Sequence, residues 1–188
     1  MNLKNYNCLK KNVYLHNDYS LIPLREDDLQ LIRKWRNEQI QFLRQENLLT
    51  EKDQKLYFKN TVLPSFIELN PKIILFSFIK NSKLIGYGGF VNIDWTTGLT
   101  EISFLIETNR SKNETYAEDF ASFLHLVKII GCYELKFKEI YTETYNIRPI
   151  HIGILEKNSF EFKKILDYDK IINGKSVNVL FHSYICNK

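Results

Sequence analysis

The stretch from Lys83 to Tyr116, KLIGYGGFVNIDWTTGLTEISFLIETNRSKNETY, constrains the fold of this chain more than any other. Two apolar runs, Leu84 to Trp95 and Thr100 to Ile106, are joined by a turn at Thr96 to Gly98, and Arg110 to Thr115 then open a long amphipathic segment. The pattern predicts strand, turn, strand, loop and helix. A strand that delivers a polar loop to a helix N-terminus builds an anion site. The free N–H groups of the first turn and the helix dipole both face the loop, so a phosphate or pyrophosphate is the expected guest. Gly86, Gly88 and Gly89 weaken the first strand unless a backbone or ligand approaches closely there, or the strand is bulged.

In the second strand Thr100, Ile102, Phe104 and Ile106 share one face, and Glu101, Ser103 and Leu105 the other. Burial of a carboxylate within a sheet raises its pKa toward the range of a general base. Glu101 is therefore the first candidate for that role, with an edge-exposed or hairpin-paired glutamate as the alternative. Tyr116, Phe120, Phe123, Leu124, Val127 and Ile130 then give a helix from about Thr115 to Leu135 its core stripe. Ser111 with Glu114, or Thr115 with Glu118, fits a capping box at its start.

Upstream, Asn12 to Leu15 is expected to pair with Ser20 to Leu24 across a turn at His16 to Asp18. Leu29, Ile32 and Trp35 mark an amphipathic helix. Arg36 and Asn37 follow its last buried position; they either point into a cleft or make, respectively, a surface ion pair and a helix end. Arg44 and Gln45 extend this polar cluster. Thr50 and Asp53 form a capping box for a helix to about Asn60, with Leu56, Tyr57 and Phe58 on its apolar side. Ile73 to Ile79 reads as a strand buried on both faces. Downstream come a strand from Lys138 to Tyr145, a short helix with Arg148 at its mouth and Pro149 at its first position, and a hairpin around Asn173-Gly174. His151 lies in the first turn of that helix.

With 188 residues, 44% hydrophobic and 14% aromatic, the chain suits one globular domain, with residues 1–18 as an extension or first strand. Its net charge of +4 comes from 26 basic and 22 acidic residues without a basic block, which argues against nucleic acid as a partner. Cys8, Cys132 and Cys186 are odd in number and lack metal-ligand spacing, so no metal is expected. They suggest free thiols in a reducing, cytoplasmic setting. The N-terminus has no signal-peptide core, and no apolar run is long enough for a membrane span.

The IGYGGF and NID elements of one strand, the EISFLI strand, the WRN tripeptide at 35–37 and the LEKNSF segment at 155–160 resemble the GNAT superfamily of acyl-CoA N-acetyltransferases. The similarity covers roughly Ser20 to Leu166, and the branch includes ribosomal-protein and nucleotide-linked aminosugar acetyltransferases. It implies an α+β fold whose mixed, mostly antiparallel sheet of six or seven strands is flanked by helices, with splayed central strands. It also implies acetyl-CoA as co-substrate. The backbone of Phe104, Leu105 and Ile106 would pair with the pantetheine arm. Arg110, Ser111, Lys112, Asn113, Glu114 and Thr115 would hold the pyrophosphate, with Tyr116 and Arg148 adjoining. A backbone amide near Leu105 would stabilise the oxyanion. Arg36, Asn37, Arg44 and Gln45 would lie on the acceptor side.

The sequence departs from the family in two places. The family loop reads Arg or Gln, two residues, Gly, one residue, then Gly or Ala; here both glycines are missing, although Asn113 can still adopt a left-handed turn. A tyrosine that protonates the leaving thiolate is replaced by Leu155, which leaves Tyr141, His151 or water for that task. The expected acceptor is the primary amine of a small molecule, foremost a nucleotide-linked aminosugar. A protein N-terminal amine, or a non-catalytic binding module, is the alternative. A homodimer stays open.

Overall fold

The computed structural model describes residues 5–172 and 174–186; the start of the N-terminal extension and Asn173 of the last hairpin turn lie outside the described residues. One sheet carries the fold. Its strands are β1 (Tyr14–His16), β2 (Tyr19–Pro23), β3 (Ile74–Lys80), β4 (Lys83–Asp94), β5 (Leu99–Ile106), β6 (Glu139–Tyr145), β7 (Glu161–Ile172) and β8 (Lys175–Ile185). They lie in the order β1-β2-β3-β4-β5-β6-β8-β7. The α+β class and mostly antiparallel pairing match expectation. The sheet has eight strands instead of six or seven, because both terminal hairpins join it. His16 belongs to β1, not to the turn, and Asn17 takes the left-handed conformation there with φ 52°.

The apolar run of β3 is buried from Ile74 to Ile79, as a strand covered on both faces must be. Its partner β4 approaches closely at Gly89, where φ is +147° and a Cβ would run into the Ile74 carbonyl. One face of β5 packs on helix α4 (Tyr116–Lys128): the Phe104 ring lies 4.6 Å from Phe120 and 4.5 Å from Phe123. On the other face Tyr87 of β4 accepts a hydrogen bond from Arg36 Nη1 of α1 (Leu29–Glu38), 2.5 Å away. Thus α1 and α4 cover opposite faces of the central strands.

Thr50 and Asp53 form the expected capping box of α2 (Glu51–Tyr57), which runs through a π turn at Phe58–Val62 into α3 (Leu63–Ile67). Its buried stripe is Gln54, Phe58 and Val62, four residues apart. That phase leaves Leu56 and Tyr57 off the stripe, 43% and 42% exposed, instead of on the apolar side expected from the sequence. Neither capping box expected before α4 forms. Thr115 already has helical angles, φ −69° and ψ −12°, and the Ser111 hydroxyl donates to the Thr108 carbonyl. The cysteines also differ from expectation. Cys132, in the π turn after α4, is disulfide-bonded to Cys186 beyond β8, and Cys8 alone is free. The cysteine argument for a reducing setting therefore falls away. Among the described residues no helix is long and apolar enough to cross a membrane.

Candidate active site

The strands β5 and β6 are the one parallel pair in the sheet, and they pair only between Leu99–Glu101 and Glu139–Tyr141. Beyond Glu101 they part: β5 stays with β4, and β6 stays with β8. A cavity of about 390 Å³ opens in the gap. It brings together seven of the expected site residues, Arg36, Arg44, Gln45, Glu101, Phe104, Arg148 and His151. Asn37 lies behind it, where it accepts from Leu49 N–H and donates to the Leu49 carbonyl, bracing the connection after α1.

Glu101 sits at the narrow end of the gap, with 4% of its side chain exposed. Asn92 Nδ2 donates to its Oε2 at 2.8 Å, and Arg44 donates to its Oε1. Arg44 reaches Glu143 of β6 as well, with Nη1 to Oε2 at 3.2 Å. Burial raises the Glu101 pKa above the ordinary carboxylate value, against the opposing pull of Arg44 and Asn92. Asn92 can reach Glu101 because it occupies a bulge in β4, with φ 50°. Tyr141 pairs with Glu101 in register and stacks on Phe181 at 4.8 Å; burial, with the charges of Glu101 and Glu143, raises its pKa.

On the α4 side, helix α5 (Pro149–Lys157) carries His151 into the cavity wall. His151 Nδ1 lies 2.6 Å from the Tyr116 hydroxyl, which also accepts from Arg148 Nη2 at 3.0 Å. Because a guanidinium only donates, the arrangement that uses every partner has the Tyr116 hydroxyl donating to Nδ1 and the ring proton on Nε2. Burial, with Arg148 and His182 nearby, holds the His151 pKa well below its usual value, so the ring is neutral. The Phe120 ring stacks on it at 4.2 Å. Leu155 is fully buried and offers no proton.

The free edge of β5 is the strongest structural feature for a linear guest. Glu107 N–H donates to Ile85 of β4, so alternation turns the polar groups of Leu105 and Ser103 toward β4. Those of Ile102, Phe104 and Ile106 point away from β4, and of these the Ile106 carbonyl already accepts from Gln39 Nε2 at 2.8 Å. The amides beside Leu105 that point toward the gap are therefore those of Phe104 and Ile106. The loop after β5 is closed on itself. Ser111, Lys112, Asn113 and Tyr116 N–H donate to the carbonyls of Glu107, Asn109, Arg110 and Asn113. Asn113 is extended, with φ −93° and ψ 162°, and not left-handed. Arg110 is engaged by Asp119, while Lys112, Glu114 and Thr115 are exposed. The edge of β5 offers backbone groups to an extended guest; in this conformation the loop directs those four amides inward.

The family of GNAT acetyltransferase domains matches residues 21–177. The chain belongs to that family and is, by class, an acetyl-CoA-dependent N-acetyltransferase. No curated protein matches the sequence. Among solved structures it is similar to a spermidine N-acetyltransferase from Vibrio cholerae in complex with CoA and spermine, with a TM-score of 0.77 and 15% identity over 91% of this chain and 97% of that one. A dodecameric structure of a spermidine N-acetyltransferase from the same organism gives 0.73 and 16% over 90% and 95%. RimL, a ribosomal L7/L12 α-N-protein acetyltransferase in complex with CoA, gives 0.73 and 9% over 92% and 97%.

Phe42, Tyr87, Thr142 and Glu143 are among the wall residues that escaped the sequence reading. Glu143 was legible only as one member of a period-two strand, and Tyr87 only as a residue between glycines. Neither pattern says that a side chain faces a gap between strands. Asn92, which lies behind the wall and holds Glu101, was a polar residue within an apolar run, and that was its one signal.

Proposed function

We propose that this chain transfers the acetyl group of acetyl-CoA to the primary amine of a small acceptor that also carries negative charge. The observation that carries this reading is the composition of the cavity. Three arginines, Arg36, Arg44 and Arg148, face two glutamates, Glu101 and Glu143, so the walls are net positive with His151 neutral. A nucleotide-linked aminosugar has the required pair of groups, an amine and phosphates.

Acetyl-CoA supplies the acetyl group as a thioester, which an uncharged amine can attack. Glu101 takes the proton from the incoming ammonium, directly or through water; each of its oxygens keeps a lone pair beyond those used by Arg44 and Asn92. The Phe104 amide donates toward the gap, where negative charge develops on the carbonyl oxygen. In this reading the neutral His151 of the cavity wall hydrogen-bonds the departing sulfur through Nε2–H. Lys112 is the exposed cation of the loop for the pyrophosphate, and Arg148 adds charge at the mouth of α5.

A melting-temperature titration with acetyl-CoA and with free CoA tests the co-substrate, since a ligand of the native state raises the midpoint as it passes its dissociation constant. A thiol-release assay then compares a nucleotide-linked aminosugar, a ribosomal-protein N-terminal peptide and spermidine. The expected outcome is a saturable shift, with turnover highest for the aminosugar nucleotide. Absence of a shift at millimolar ligand rejects the transferase reading for this chain, and faster turnover of the peptide or polyamine rejects the acceptor.

A further inference from the structure

Arg44 lies where a cation of the acceptor would bind. Its two terminal nitrogens are divided between the carboxylates of Glu101 and Glu143. The acids are rooted in the sheet, on β5 and β6, with side chains 4% and 18% exposed. The guanidinium comes from outside, on the connection between α1 and α2, at the end of a side chain that is 52% exposed. The two carboxylates repel one another across the mouth of the gap, and a cation between them relieves that repulsion, so it belongs to the resting site. A tethered one is present at an effective concentration on the order of millimolar, which a free ammonium has to outcompete. The same connection is fixed on its other side: Phe42 lies under the Arg148 guanidinium, 5.1 Å from ring centroid to Cζ.

We infer that Arg44 is a specificity-determining residue: it fills the cation subsite formed by Glu101 and Glu143 and thereby excludes polyamine acceptors. The inference rests on the acceptor side of the cavity proposed above. A single amine needs only a lone pair of Glu101 to lose its proton. A polyamine brings further ammonium groups into walls that are already net positive, and it gains a site for them only if Arg44 leaves. Specificity here comes from a built-in competitor as well as from attraction to the correct acceptor.

The test is calorimetric binding of spermidine, with propylamine as the single-charge control, to the full chain and to Arg44→Gln and Arg44→Lys at low salt and without acetyl-CoA. Arg44→Gln is expected to tighten spermidine at least about tenfold and to leave propylamine within a few-fold, in line with close charge pairs. The gain should fall steeply with salt, disappear when millimolar guanidinium chloride is added, and disappear in the Arg44→Gln/Glu143→Gln double variant. Arg44→Lys should behave as the parent does. Equal spermidine affinity in parent and Arg44→Gln, or a gain that survives Glu143→Gln, overturns the inference. If Arg44→Gln does not fold, Arg44→Met, which also removes the charge, is read by the same criteria: a spermidine gain lost with Glu143→Gln supports the inference, and an unchanged affinity overturns it. Because acetyl-CoA is absent, a failure of the transferase reading shows in the melting titration and not here.

Discussion

Arg110, in the loop before α4, and Asp119, inside that helix, are joined by two hydrogen bonds, Nε to Oδ2 at 2.8 Å and Nη2 to Oδ1 at 2.9 Å. Asp119 is fully buried and also accepts from the Tyr19 hydroxyl at 2.8 Å, with Lys80 Nζ 3.6 Å away. The loop arginine is thereby turned into a tie between the loop, α4 and the β2 and β3 edge of the sheet. This is the physical consequence of a loop without glycines: it folds on its own amides, and a side chain anchors it to the core.

Replacing Asp119 tests that tie. Asp119→Ala leaves Arg110 and Lys80 without their shared buried acceptor and the Tyr19 hydroxyl, which still accepts from Lys80 Nζ, without an acceptor for its own proton. Removal of one partner from a buried pair is expected to cost roughly 3 kcal/mol. A urea titration should show the midpoint fall with the slope unchanged. A loss under about 0.5 kcal/mol, the scale of an exposed pair, would mean that the network is solvated.

Glu101 makes a prediction about pH. Its folded-state pKa is raised by burial, so the folded protein holds this proton more tightly than the unfolded chain does. Its contribution to stability is greatest below the unfolded value and is lost as pH rises through the folded one. Activity runs the opposite way, because the base works only when ionised. The acid limb of kcat/KM should therefore turn above the ordinary value of 4.5. Glu101→Gln should lower kcat roughly 10²- to 10⁴-fold and flatten that limb, leaving the acetyl-CoA melting shift intact. An unchanged acid limb in the variant would assign it to another group.

The sequence made the strands and the main helix legible because their periods are strong. The stripe from Tyr116 to Ile130 and the buried run of β3 are cases where burial alone sets the pattern. Glu101 stood out for the same reason, as a charge in an otherwise apolar strand. The exposed positions of Leu56 and Tyr57 were not legible, since the π turn after α2 fixes which phase of the helix faces the core. Nor were the Arg44 bridge and the Tyr116–His151 contact, which join residues 57 or 99 apart and 35 apart through the splay. Local pattern carries no information about a gap that exists only once β5 and β6 separate. The Cys132–Cys186 link was hidden likewise, because an odd cysteine count does not say which two meet.

Gly89 gives a test of the close approach between β3 and β4. Its φ of +147° is strained for any side chain, and a Cβ there meets the Ile74 carbonyl, which is part of the ladder and cannot move alone. Gly89→Ala should cost more than the roughly 1 kcal/mol of an ordinary glycine substitution, in the range of about 1–3 kcal/mol for overpacking plus strain. Gly153→Ala is the control, since nothing lies within 4 Å of a Cβ at that position in α5. It is expected to be neutral or to stabilise by a few tenths of a kcal/mol. Equal midpoints for the two variants would show that β4 yields at Gly89.

The disulfide encloses the part of the chain that supplies about a third of the residues lining the cavity. Cys132 and Cys186 are 54 residues apart, and the segment between them holds β6, α5, β7 and β8, hence Glu143, Arg148 and His151. In the chain-entropy account a cross-link of that span disfavours the unfolded state by about 4 kcal/mol. Thiol reductant, or Cys132→Ser with Cys186→Ser, should therefore lower the thermal midpoint, and protease should cut first within residues 133–185. The third cysteine supplies the internal control: burial pushes the Cys8 thiol up to about 11, so it is protonated and unreactive near neutral pH. Cys8→Ser should leave the reductant effect unchanged. A parent midpoint indifferent to reductant would show that the two sulfurs are not bonded in solution and that this part of the site is held by packing alone.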